Sequence, residues 1–319
     1  MILPEYKSLV EKQFSSNRII KYKYDIDDIL TEFDGKDSLI FRGVNEAKYK
    51  IYTSAQRAWL TKDLKNNTSF DRFIYELLYS LREDKLLNDF LTSLDFKYND
   101  VLGLAMLQHY GSPSTLIDFT LDLKTALFFA IDGLIGNKTR DEIGDYMSLY
   151  YIDRNQCKRF LCSLIEVLNV GLEKGIQVYE EVVKMYSGTT VNCKLLTDID
   201  AFTMWCNPEN GGNGLPDFKL SYLGNPLKGP NLSSYKTGEK LVWSSWNLIA
   251  QKGCSIMYNE AEEPLETYMS KHQLPIHCIN IHKSLADYIK MKIGINRLDI
   301  YPDLYKRIKS KYSKFLEHL

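Results

Sequence analysis

The sequence predicts an α+β fold: one large domain with a mixed or antiparallel sheet core surrounded by helices. Two observations carry that prediction. Strand-like apolar runs and helical apolar periods intermix along the chain without regular strand–helix alternation, which argues against a doubly wound sheet. Apolar residues make up 45% and charged residues 25% of the 319 residues, so the chain can bury a core without staples, and no internal repeat divides it.

The elements follow in order. Residues 1–37 read as a helical leader, with Leu9, Val10 and Phe14 on one face and Asp25 capping a second turn that runs to Phe33. Residues 39–44 form an apolar run interrupted by one arginine, and residues 49–53 alternate as a second strand, together a hairpin. Residues 69–90 place Phe70, Phe73, Ile74, Leu77, Leu78 and Leu81 at helical spacing. Residues 101–110 are an apolar helix, closed by Gly111 where a left-handed cap belongs. After a turn at 112–115, residues 121–134 read as a buried helix with Thr120 at its N-cap, 146–153 as a strand, and 154–186 mostly as helix. At 207–240 the composition shifts to Gly, Pro and Asn without a hydrophobic period: an insertion serving as lid, recognition loop or tolerated surface loop. Residues 241–258 return to apolar alternation, 274–281 read as a strand, 283–292 as a helix and 305–319 as a basic terminal helix.

Several function classes drop out. Forty Lys plus Arg against 41 Asp plus Glu leave a net charge of −1, so any nucleic-acid contact has to be a local site rather than a basic face. The six cysteines form no C-x-x-C pair, the first residues lack a signal-peptide core, and the longest apolar run is far too short to span a bilayer. A cytoplasmic chain without membrane contact is expected. No phosphate loop, dinucleotide fingerprint, H-E-x-x-H or G-x-S-x-G motif occurs. His272, His277 and His282 are spaced by five, which suits neither one helix face nor one strand face, so no metal site is expected.

What remains is a set of polar residues inside apolar segments. Arg42 lies between Phe41 and Gly43; its planar fork suits a carboxylate or a diphosphate, and an internal ion pair is the equal alternative. Gly43 admits the close approach of a backbone or a ligand. Gln108, His109 and Tyr110 end one helix, and Asp118 interrupts the apolar segment before the next. Gln251 precedes Gly253, where an ordinary turn hydrogen bond would also explain it.

These islands together resemble the FRG domain family, named for the Phe-Arg-Gly that stands here as 41–43. Further matches are Ser54 and Arg57, the Leu107-Gln108-His109-Tyr110-Gly111 helix end, Pro113 to Thr120 around Asp118, and Ala126-Leu127-Phe128-Phe129-Ala130. Ala250-Gln251-Lys252-Gly253, Gly294-Ile295 and Tyr301-Pro302-Asp303-Leu304 continue the order, so an FRG-like domain is expected over 38–310. Thr115 stands where the family has an arginine.

The family layout is similar to the ADP-ribosyltransferase plan, which implies NAD as a substrate and no metal. The resemblance assigns Arg42, Gly43, Ser54, Arg57, Gln108, Tyr110 and Thr120 to NAD binding, with Tyr110 or Phe129 as a stacking surface. It assigns His109, Asp118 and Gln251 to catalysis; Gln251 falls near the plan's late glutamate but its amide carries no charge, so either another acid such as Asp118 or Glu260 supplies it or the fold binds NAD without turning it over. The implied function is an effector, as a toxin or antiphage component, that modifies a nucleic acid or a protein and has a neutralising or regulatory protein partner. A non-catalytic module that binds a nucleotide, nucleic acid or protein is the alternative.

Overall fold

A computed structural model describes residues 3–156, apart from 13, 63, 94–97, 99 and 135–141, together with 220–224 and 245–303. Its core is a seven-stranded mixed sheet in the order β1-β7-β4-β2-β3-β6-β5. The strands are β1 (Ser16–Ile20), β2 (Leu39–Val44), β3 (Leu116–Thr120), β4 (Tyr146–Asp153), β5 (Leu220–Gly224), β6 (Gly253–Tyr258) and β7 (His277–His282). Only the β1–β7 pair is parallel; the others are antiparallel. The expected α+β class with a mixed sheet is what forms.

Six helices matter for the site: α1 (Lys23–Glu32), α2 (Ser54–Thr61), α3 (Phe70–Arg82), α4 (Lys85–Ser93), α5 (Asp100–His109) and α6 (Leu123–Ile131). One face of the sheet sets Leu39, Phe41, Met147, Leu149, Ile279 and Ile281 against α1, α6 and the helix Ala286–Ile293. Ile40, Tyr150, Ile152, Ile117, Phe119 and Ile256 pack on the opposite face with Leu265 and Met269 of the helix Leu265–Lys271. Leu116 and Met257 join a third cluster with α2, α3 and α5.

Several sequence expectations change. The hairpin does not form, because Thr53 and Gln56 make a capping box: the Thr53 hydroxyl accepts from the Gln56 N–H and the Gln56 amide oxygen accepts from the Thr53 N–H, both at 2.9 Å. That pairing starts α2 and pulls residues 49–53 out of the strand conformation; β2 pairs with β4 instead. The leader is helical at α1, but Ser16–Ile20 is a strand. The long helix at 69–90 is two helices, α3 and α4, with Asp84 accepting from the Leu87 N–H between them. Asp122, not Thr120, caps α6, through 2.8 Å bonds from the Thr125 N–H and hydroxyl. Residues 246–250 are helical, and β5 lies inside the segment read as a structureless insertion. Residues 157–186 and 305–319 lie outside the described residues, so the helices expected there are not addressed.

The N-terminal segment is fastened to the sheet by Lys12, whose side chain is buried. Its Nζ donates to the Ala47 carbonyl (2.8 Å), Ser148 Oγ (2.7 Å), Asn280 Oδ1 (2.8 Å) and the Tyr150 hydroxyl (3.1 Å). Beside it the buried Glu266 accepts from the Tyr6 hydroxyl at 2.8 Å and from the Ile51 N–H.

Candidate functional site

Strands β2 and β3 touch at a single pair, Phe41↔Thr120, whereas β2–β4 and β3–β6 are paired along their lengths. Past that pair the two strands part, and the fork opens into a cavity of about 520 Å³, within the range of small-molecule sites. The cavity lies between the end of α5, which contributes Gln108 and His109, and α6, which contributes Phe129. Arg42, Asp118, Thr120 and Gln251 also line it, so residues more than 200 positions apart converge.

Arg42 bridges the fork: its Nη1 donates to the Asp118 carbonyl at 2.5 Å, taking the place of a ladder bond that the splayed strands cannot make. The internal ion pair is not formed among the described residues; Arg42 has no carboxylate within bridging distance, and its Nε is buried without a partner. Burial lowers the Arg42 pKa, the Asp118 charge opposes that shift, and Arg57 reinforces it. Arg57 is exposed as a residue, yet desolvation of its guanidinium still lowers its pKa, again opposed by Asp118. Arg57 does not line the cavity; the fixed charges on its wall are Arg42, Asp118 and Asp132, so Arg42 is the one guanidinium there among the described residues.

Asp118 is held by Gln108, whose Nε2 donates to Oδ2 at 2.7 Å. Ser54 is tied to Ser114, its hydroxyl accepting from the Ser114 N–H at 2.9 Å and sharing its proton between the Ser114 carbonyl (3.2 Å) and Gln108 Oε1 (3.4 Å).

The other expected site residues divide. His109 lines the cavity and meets the Tyr110 ring edge-on at 5.2 Å, while Tyr110 itself points away and belongs to a separate groove with Leu86, Phe90 and Met106. Tyr110 is thus outside the cavity, and Phe129 lines it together with Phe41, Phe119 and Tyr301. Gly43 is explained by packing: a Cβ there would lie 1.8 Å from the Ala126 carbonyl oxygen of α6. The Thr120 hydroxyl is engaged by the fold, donating to the Gln251 carbonyl at 2.7 Å and accepting from the Asp122 N–H at 3.0 Å. Gln251 points its Nε2 at the Ile300 carbonyl, 3.3 Å away. Glu260 lies beyond the far end of β6 from Gln251 and does not line the cavity, so it cannot supply the missing acid. Among the described residues no group of three or more His, Cys, Asp or Glu side chains is arranged to hold a metal.

Sequence reasoning assigned no role to Asn45, Asp132 and Tyr301, which also line the cavity. Tyr301 carried a signal, since it opens the Tyr-Pro-Asp-Leu segment of the family order; Asn45 and Asp132 carried none.

No curated protein and no solved structure matches the chain. The FRG domain family matches residues 37–138, which hold β2, α2, α5, β3 and α6 and hence Arg42, Gln108 and Asp118, but not Gln251. The two strands of the fork and the helices α5 and α6 thus fall within the segment that matches the FRG domain family.

Proposed function

We propose that the cavity binds NAD and that the chain is an ADP-ribosyltransferase-like enzyme acting on a macromolecular acceptor. The observation that carries this reading is Arg42: a guanidinium that lines the cavity at the fork, held by the Asp118 carbonyl and without a carboxylate within bridging distance. An anion such as a diphosphate supplies the missing partner. The carboxylate of Asp118, on the same wall, can stabilise positive charge at a ribose carbon. In the step, the bond between the nicotinamide nitrogen and the ribose breaks and its electron pair leaves with nicotinamide. The acceptor nucleophile then bonds to the ribose carbon, and its proton passes to Asp118 or to solvent. This is the charge logic of glycoside cleavage.

A second reading, nucleotide binding without turnover, is favoured by Gln251. Its amide carries no charge and is engaged with the Ile300 carbonyl. Calorimetric titration with NAD, paired with an assay for released nicotinamide, separates the two. The proposal expects NAD binding that Arg42→Ala weakens by at least about a hundredfold, the scale of a charge-assisted bidentate contact, and nicotinamide release that Asp118→Asn abolishes. Binding without release, with nucleic-acid and protein acceptors supplied, leaves the second reading; binding indifferent to Arg42→Ala overturns both.

A further inference from the structure

The cavity wall continues beyond the fork into a patch of different chemistry. Phe129 is the half-buried member of an otherwise buried stretch of α6, and its ring meets Tyr301 at 6.2 Å and 77°. The guanidinium of Arg297 covers the Tyr301 ring at 5.4 Å. Beside these rings stand two acceptors. Asp132, which ends α6, has one carboxylate oxygen 3.6 Å from Arg297, and its other oxygen has no donor among the described residues. Burial and then the Asp132 charge raise the Tyr301 pKa, and the Arg297 guanidinium opposes them. Asn45 donates its Nδ2 to the Asp132 carbonyl at 3.4 Å, which leaves its Oδ1 as an acceptor with no donor among the described residues.

Asn45 follows directly on β2, three residues beyond Arg42, and both line the one cavity. An aromatic edge-to-face pair beside unfilled acceptors suits a flat ring that carries hydrogen-bond donors.

We infer that Asn45, Phe129, Asp132 and Tyr301 form a base subsite that selects a heterocycle bearing an exocyclic –NH2 group. The inference rests on the nucleotide reading above and specifies which end of the ligand each wall takes: Arg42 the phosphate, Asp132 and Asn45 the amino group. Two sources share that chemistry, the adenine amine and the nicotinamide carboxamide.

Calorimetry on the full chain tests the subsite with two matched pairs, AMP against IMP and nicotinamide mononucleotide against nicotinic acid mononucleotide, plus inorganic pyrophosphate. The subsite predicts that the amino member of one pair binds at least about tenfold tighter than its oxygen partner, because the half-buried acceptors then face an oxygen in place of the amino donor. The pair that shows the preference identifies the ring. Asp132→Ala erases the preference while pyrophosphate affinity stays within about twofold, which also reports an intact Arg42 wall. Equal affinities within both pairs, or a preference that survives Asp132→Ala and Asn45→Ala, overturns the subsite while Arg42-dependent binding leaves the nucleotide reading standing. If neither the nucleotides nor pyrophosphate bind, both fall.

Discussion

Two cations sit inside this molecule, Lys12 and Arg42, and they are treated in opposite ways. Lys12 has four oxygens within 3.1 Å and three aromatic rings, of Tyr6, Phe14 and Tyr150, within 5.8 Å. Arg42 has one carbonyl and an unpartnered Nε, and it faces a cavity rather than a packed interior. A buried charge whose bonds are all met holds the fold; one whose bonds are left open at a cavity wall is poised for a ligand. The difference between the two surroundings is more informative than either residue type.

The sharpest way to break that contrast is to remove each cation. Lys12→Ala strips the buried Ala47 carbonyl of its Lys12 donor and leaves Ser148 and Asn280 with only their mutual 2.9 Å bond, and the expected loss is about 3 kcal/mol in urea-denaturation stability. Arg42→Ala removes one bond at a solvent-facing carbonyl and should cost no more than about 1 kcal/mol. Comparable losses for the two would erase the distinction. Lys12→Met retains the packing of the stem and isolates the hydrogen-bond contribution.

The same network gives a pH signature. Burial raises the Glu266 pKa above its ordinary 4.5, so the folded chain retains a proton that the unfolded chain releases, and stability falls as pH rises through that window. Burial lowers the Lys12 pKa below 10.5, so there the unfolded chain binds the extra proton, and stability rises with pH up to about 10.5. Glu266→Gln should flatten the acid limb of the urea midpoint against pH, and Lys12→Met the alkaline limb. An unchanged profile in either variant means that the residue is hydrated rather than sealed.

Gly43 tests where the fold ends and the site begins. It neighbours Arg42 in the motif, yet an added Cβ would meet the Ala126 carbonyl oxygen at 1.8 Å and the Ala130 nitrogen at 2.7 Å, both backbone atoms of α6. Gly43→Ala should therefore destabilise by about 1–3 kcal/mol, as overpacking does. A variant as stable as the parent but unable to bind nucleotide would move Gly43 from the packing side of the comparison to the ligand side.

What the sequence made legible follows from the range of the forces involved. The strands at 39–44 and 146–153 and the helices around 70–82, 101–109 and 123–131 are visible because apolar period is a local property. Arg42, Gln108, Asp118 and Gln251 could be singled out because each is a polar residue in an apolar setting. The fork that joins them could not, since it depends on β2 and β3 pairing at one residue only, across a separation of 79 positions. Lys12 escaped notice for the same reason: its acceptors come from residues 47, 148, 150 and 280, and an isolated lysine near the start of a chain looks like any solvated one. Tyr110 shows the converse error, in which motif proximity to His109 suggested a shared site that the turn of the helix denies.

Thr115 supplies the smallest test and a third case for the comparison. It is fully buried, and its hydroxyl has no partner among the described residues, although its carbonyl accepts from the Tyr258 N–H at 2.8 Å. Unlike Arg42 it does not line the cavity, so a ligand is not available to answer it. Thr115→Val keeps the branched shape and removes a desolvated hydroxyl, and should raise stability by about 0.5–1 kcal/mol with NAD affinity unchanged. A loss of stability instead would mean that a buried water answers the hydroxyl, placing Thr115 with Lys12 among the satisfied groups. If the gain is seen, an unanswered polar atom is by itself no sign of a site. Arg42 then marks one because its guanidinium, unlike the Thr115 hydroxyl, lines a cavity with room for an anion.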